Sequence, residues 1–228
     1  MIEIIEKKLL YITKTIGLII LLLTFAYIPL IIFKIDYTKI NQLHKIIYLT
    51  IMDSLLIIIL ILIYRKDIKD NFNNFFNKNI INNLKTPIKY WLLGLLIMIT
   101  SNIIINIMTN IEISQNEQAV RELVDKAPLF MIFQSLIYAP ITEELIFRKS
   151  IKDIVSNKYL YAIISGLIFG SMHILLSINN LKELLFIIPY SAVGFTFALC
   201  YYKTNNIFST ITAHSIHNTL TLILYFII

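Results

Sequence analysis

Apolar residues in this chain come in long runs separated by short polar segments. Seven stretches, at about 15–33, 46–64, 90–108, 128–147, 159–178, 184–202 and 207–228, approach or reach the roughly 20 residues that a helix needs to cross a bilayer. None alternates with period two, as barrel strands would, so each is expected to be an α-helix that satisfies its own backbone. Gly94, Gly166, Gly170, Gly194, Pro29, Pro140 and Pro189 fall inside these runs, which membrane helices tolerate better than soluble ones. One such run could be the core helix of a soluble domain. Seven could not, because the polar segments between them are too short to cover them. The pattern predicts an all-α polytopic membrane helix bundle with about seven transmembrane helices.

The longest hydrophilic stretch, "YRKDIKDNFNNFFNKNIINNLKTPIK" at 64–89, separates an N-terminal helix pair from the rest. Its loosely alternating Phe and Asn fit either an amphipathic segment on the membrane surface or a plain loop. Composition supports the membrane reading: 57% of residues are apolar and the mean hydropathy is +0.76, above the roughly 45–50% apolar usage of soluble domains. The net charge of +6 does not indicate a nucleic-acid partner, because the lysines cluster at the ends of apolar runs. They face anionic lipid instead. With the N-terminus inside, the inner segments carry about twice the Lys and Arg of the outer loops, so seven spans predict N-inside and C-outside. The loop 109–127, with Glu112, Glu117, Glu122 and Asp125, suits the outer face. Lys7, Lys8 and Lys14 precede the first run with no small-residue cleavage site after it, which predicts an uncleaved first span. Cys200 is the single cysteine, excluding an intrachain disulfide and a Cys-rich metal site.

Ionisable side chains inside a bilayer are costly and mark function by default. In "YAPITEELIFRKS" (138–150), Glu144 and Arg148 stand four apart and share a helix face. Glu143 is about 140° away from Arg148 around a helix and lacks that partner. Pro140 and Thr142 followed by acidic residues would also make a helix start, although the apolar run is already under way before them. His173 sits in "SGLIFGSMHIL", one turn after Phe169. The last run holds His214, His217 and Asn218, the first and last of them four apart. Asp53 in the second run has no companion at helical spacing and stays unassigned.

A carboxylate, a histidine and a histidine–asparagine pair on three helices are the parts for hydrolysing a peptide bond inside a membrane cavity. Glu and His can activate a water, and His with Asn can donate to a developing oxyanion. Alternatively, Glu143, His173 and His214 could bind zinc and leave Glu144 as base. The residues alone leave both routes open.

The ordered set Glu143-Glu144…Arg148, Phe169…His173 and His214…Asn218 resembles the CaaX-protease and bacteriocin-processing (Abi) family of intramembrane endopeptidases. Its pattern is EExxxR, FxxxH and HxxxN on separate membrane helices. The resemblance covers roughly residues 120–228, implying a catalytic bundle there beside N-terminal transmembrane helices at 1–110. It implies that Glu143 and His173 activate the attacking water, that His214 and Asn218 form the oxyanion site, and that Glu144, Arg148 and Phe169 support them. It favours a metal-free reaction, with zinc as the alternative. Lys149 stands where many members have Gly after the Arg, and His217 is an additional polar group. The implied partners are the bilayer and a peptide or protein substrate, and the Ile-, Asn- and Lys-rich composition fits a bacterial cell membrane. CaaX tails are poor candidate substrates there, because bacteria generally lack prenylation; peptide maturation, bacteriocin self-immunity and membrane-protein processing are the options. A non-catalytic immunity or scaffold protein of the same fold is the rival from another class, and a proton-coupled transporter is a third reading, disfavoured by the lack of a repeated half.

Overall fold

Short polar residues open several of the helices. Asn41, Ser114 and Asn157 each precede a helix in extended conformation, and their side chains accept first-turn N–H groups of His44, Glu117, and Tyr159 with Leu160, stabilising otherwise unpaired donors. The computed structural model describes residues 2–76 and 80–227. Among these, nine helices follow one another: α1 (Ile2–Thr24, continued by a 3₁₀ turn and a short helix to Ile32), α2 (Gln42–Ile63), α3 (Arg65–Phe76), α4 (Ile80–Thr109), α5 (Gln115–Lys126), α6 (Pro128–Ile154), α7 (Lys158–Leu175), α8 (Ile187–Thr204, entered through a 3₁₀ turn Leu181–Phe186) and α9 (Ile207–Ile227).

The fold is an all-α polytopic helix bundle. Among the described residues, six helical stretches are long and apolar enough to span a membrane: Ile5–Ile32, α2, α4, α6, α7 and Leu181–Thr204. The seventh expected run is present as the 21-residue α9, yet it is not one of these six. His214, His217 and Asn218, with its Ser and Thr residues, dilute its apolar character: the side chains that make it chemically interesting also weaken it as a span. The hydrophilic stretch after α2 forms the helix α3, and α4 begins ten residues before the apolar run that predicts it. Part of that stretch, 77–79 with Lys78, lies outside the described residues.

Helix α3 is amphipathic. Phe75 is buried, and Phe72, Phe75 and Phe76 gather around Phe208 of α9. The Asn71 side chain accepts the Ile207 N–H at 2.6 Å, while the Asn206 amide donates to the Asn71 carbonyl at 2.8 Å. The start of α9 is thereby fixed from outside the helix.

The core lies where α6, α7 and α8 meet, around Leu145, Ile146, Phe147, Tyr161, Phe169 and Ala198, with Leu56 and Leu60 of α2 against it. Helices α7 and α8 approach closely because Gly166 and Gly170 face α8. A Cβ at Gly166 would lie 2.8 Å from both the Phe195 nitrogen and the Ser191 oxygen. Small residues four apart allow this backbone contact in membranes. Gly166→Val is therefore expected to separate the two helices and destabilise the protein by about 1–3 kcal/mol. A lowered melting temperature in detergent would show it; an unchanged one would mean that α8 yields freely.

Candidate active site

The helix carrying the acidic pair is bent out of regular α geometry twice. Gln134–Tyr138 and Glu144–Ser150 are π-helical turns on either side of Pro140, and such turns frequently mark functional sites. Pro140 does not start a helix; it sits inside α6. It offers no N–H to the carbonyls one turn before it, and these find partners on α9. The Ser135 carbonyl accepts from Asn218 Nδ2 at 2.8 Å, and that of Leu136 from Ser215 Oγ at 3.0 Å. On the other side of α6, the Phe147 carbonyl accepts from Ser165 Oγ at 2.7 Å and that of Arg148 from Tyr161 Oη at 3.1 Å. The irregular backbone of α6 is thus what docks it to α7 and α9. Ser215→Ala is expected to cost about 1–3 kcal/mol by stranding the Leu136 carbonyl. Adding Pro140→Ala, which restores a backbone N–H, is expected to recover part of that loss. Thermal melts of the two variants test the coupling, and equal melting temperatures would refute it.

Glu144 and Arg148 are both fully buried, with Glu144 Oε2 3.0 Å from Arg148 Nε. Arg148 also donates to Ser165 Oγ at 3.2 Å and lies 4.6 Å over the Phe169 ring. The second Glu144 oxygen, Oε1, is 2.9 Å from Nδ1 of His214. A carboxylate beside a guanidinium accepts rather than donates, so His214 Nδ1 carries a proton and Nε2 is turned to the other side. There it meets Glu143: Nε2 is 3.8 Å from Glu143 Oε2, an oxygen with no hydrogen-bond partner among the described residues. The two glutamates separate as helical spacing predicts, one in a buried network and the other uncommitted.

His173 is held in a similar way. Its Nδ1 is 2.9 Å from the Phe169 carbonyl, which can only accept, so Nδ1 bears the hydrogen and Nε2 has the lone pair. The ring stacks on Tyr190 at 5.0 Å. Phe169 fills the space between His173, His214 and Arg148, with ring centroids 4.4 and 6.0 Å from the two histidines. Glu143, His173, His214, His217 and Asn218 all line one cavity of about 300 Å³. Glu144, fully buried, does not line it, which leaves it badly placed to act as a base.

Other residues at this cavity carry no sequence signal of their own. Tyr190 lines it, and its hydroxyl is held by Asn116 Nδ2 at 3.1 Å and Ser114 Oγ at 3.3 Å. Gln134 also lines it and donates to Asp53 Oδ2, which gives the unassigned acid of α2 a partner 81 positions away. Ser215 and Tyr190 are of types common in membrane helices, so only the fold distinguishes them.

A zinc ion needs three or more ligand side chains converging on one point. Among the described residues, no three His, Cys, Asp or Glu side chains converge closely enough to hold a metal ion. Glu143, His173 and His214 share the cavity without closing into such a group. As arranged, they do not fit a zinc ion held by all three.

The fold and these side chains define a helical membrane protein with a polar, carboxylate- and histidine-lined cavity within the bundle. Residues 125–220 match the family model described as type II CAAX prenyl endopeptidase Rce1-like. The chain is 39% identical over 114 residues to YdiL of Bacillus subtilis (strain 168), whose name assigns it provisionally to the membrane peptidases; the match covers 49% of this chain and 43% of YdiL. It is 29% identical over 214 residues to the membrane-embedded CAAX protease MroQ of Staphylococcus aureus (strain USA300), covering 84% of this chain and 81% of that protein. The chain thus spans less than half the length of YdiL and about four-fifths of MroQ. No solved structure matches it. Through its C-terminal half, the chain is thus similar to CAAX-type membrane peptidases.

Proposed function

We propose that this protein is an intramembrane endopeptidase that hydrolyses a peptide bond of a membrane-associated peptide or protein in the bacterial cell membrane. The observation that carries the reading is the meeting of an uncommitted Glu143 carboxylate, His173, His214 and Asn218 at one cavity. In the reaction, the Nε2 lone pair of His173 positions a water, and Glu143 takes its proton as the oxygen adds to the scissile carbonyl. The carbonyl oxygen becomes an oxyanion. His214, carrying a proton on Nε2 while Glu144 accepts its Nδ1–H, donates to it together with the Asn218 N–H that is not engaged by Ser135. Glu143 then returns its proton to the leaving amine, the C–N bond breaks, and a carboxylic acid and an amine are released.

Membrane peptidomics comparing cells carrying the wild type with cells carrying Glu143→Ala tests the reading and identifies the product. Peptides present only with the wild type support it; identical peptidomes oppose it and favour the non-catalytic scaffold. Activity lost on chelation and restored by zinc would instead make the hydrolysis metal-dependent.

A further inference from the structure

Beside the cavity just described lies a second one of about 220 Å³, formed where α4, α8, α9 and the segment entering α5 meet. The two share a wall that includes Tyr190 and His217. A peptide whose scissile bond lies at Glu143 would have a neighbouring side chain facing this second space. We propose that the second cavity is the pocket for a substrate residue flanking the scissile bond, and that it selects lysine or arginine. The inference rests on the peptidase reading and adds the substrate preference of that site.

Two features of the pocket point to this occupant. Its inner wall is apolar, built from Met98, Phe186 and Pro189, and suits the methylene stem of a long basic side chain, which buries its carbons and keeps its charge at a polar edge. At that edge stands Glu112. The neighbouring acids of α5 are already neutralised: Glu117 pairs with Arg121 at 2.9 Å and Glu122 with Lys126 at 3.3 Å. Glu112 makes no ion pair among the described residues. Arg121 also lines the pocket but is held by Glu117, so an acidic guest would be repelled by Glu112, whereas a basic one completes a pair.

His217 supplies independent evidence of a missing ligand. Its ring makes no hydrogen bond among the described residues, and its Nδ1 is buried. Leaving a buried polar atom unsatisfied costs about 1–3 kcal/mol. The histidine lies on the wall common to both cavities, where a turn of its ring would let Nδ1 accept an N–H of a bound peptide or of a basic side chain. A wholly apolar side chain would leave it stranded.

The test compares membrane N-terminal peptide profiles from cells carrying the wild type, Glu143→Ala, Glu112→Gln and Met98→Trp. Cleavages that depend on Glu143 are expected to show Lys or Arg enriched at one position next to the cut. Glu112→Gln is expected to slow cleavage at those sites at least tenfold and to leave other Glu143-dependent sites unchanged. Met98→Trp, which fills the pocket, is expected to do the same. Glu143-dependent cleavages without basic enrichment, or an enrichment indifferent to both pocket variants, would overturn the pocket and leave the peptidase standing. An absence of Glu143-dependent cleavage would overturn both.

Discussion

Glu143→Gln is expected to lower peptide-bond cleavage by about two to four orders of magnitude while the protein keeps its helix content and melting temperature. The expectation follows from what the Glu143 carboxylate does not touch. Its Oε2 is buried without a hydrogen-bond partner among the described residues, and His214 Nε2 is 3.8 Å away. Gln keeps the shape of the side chain and breaks no existing bond, but it cannot accept a proton from water. A carboxylate oxygen buried among membrane helices without a hydrogen bond among the described residues marks a candidate for chemistry. The measurement is turnover of a substrate recovered from the peptidomes, with circular dichroism and thermal melts of the same purified samples. Unimpaired turnover by the variant would remove Glu143 from the reaction, and loss of the folded state would give it a structural role.

How much of this was readable in the chain depends on the range of the interaction. The bundle was legible because the length and apolarity of a run are local properties. Glu144 and Arg148 were legible as a pair because four residues of helix bring side chains together, and the structure retains that contact even through a π-helical turn. The partners of Glu144 and Asp53 on other helices were not legible. His214 is 70 positions from Glu144 and Gln134 is 81 from Asp53, and no periodicity links such positions. Pro140 misled in an instructive way. Locally it reads as a helix start, and only the Ser215 and Asn218 side chains of α9, which bond the carbonyls before it, show how the helix continues through it. Polar residues weaken α9 as an apolar run, so sequence patterning is least informative where the cavity is built.

The second large effect is expected at the buried pair, and there stability and activity should part. Arg148 and Glu144 are both fully buried. Removing one charge strands the other in a low-dielectric interior, which typically costs 3–5 kcal/mol. Arg148→Met and Glu144→Leu are each expected to lower the melting temperature by on the order of 10 °C. The double variant, which leaves neither charge stranded, is expected to regain most of that loss, because apolar side chains of similar volume often replace a buried pair at little cost. Activity should not return with it. Glu144 is also the acceptor that fixes His214 Nδ1 at 2.9 Å, and without it the imidazole loses the hydrogen bond that sets its orientation. A double variant that melts near the wild-type temperature yet remains inactive would establish Glu144 as the residue that positions His214. One that regains both stability and turnover would reduce the pair to packing.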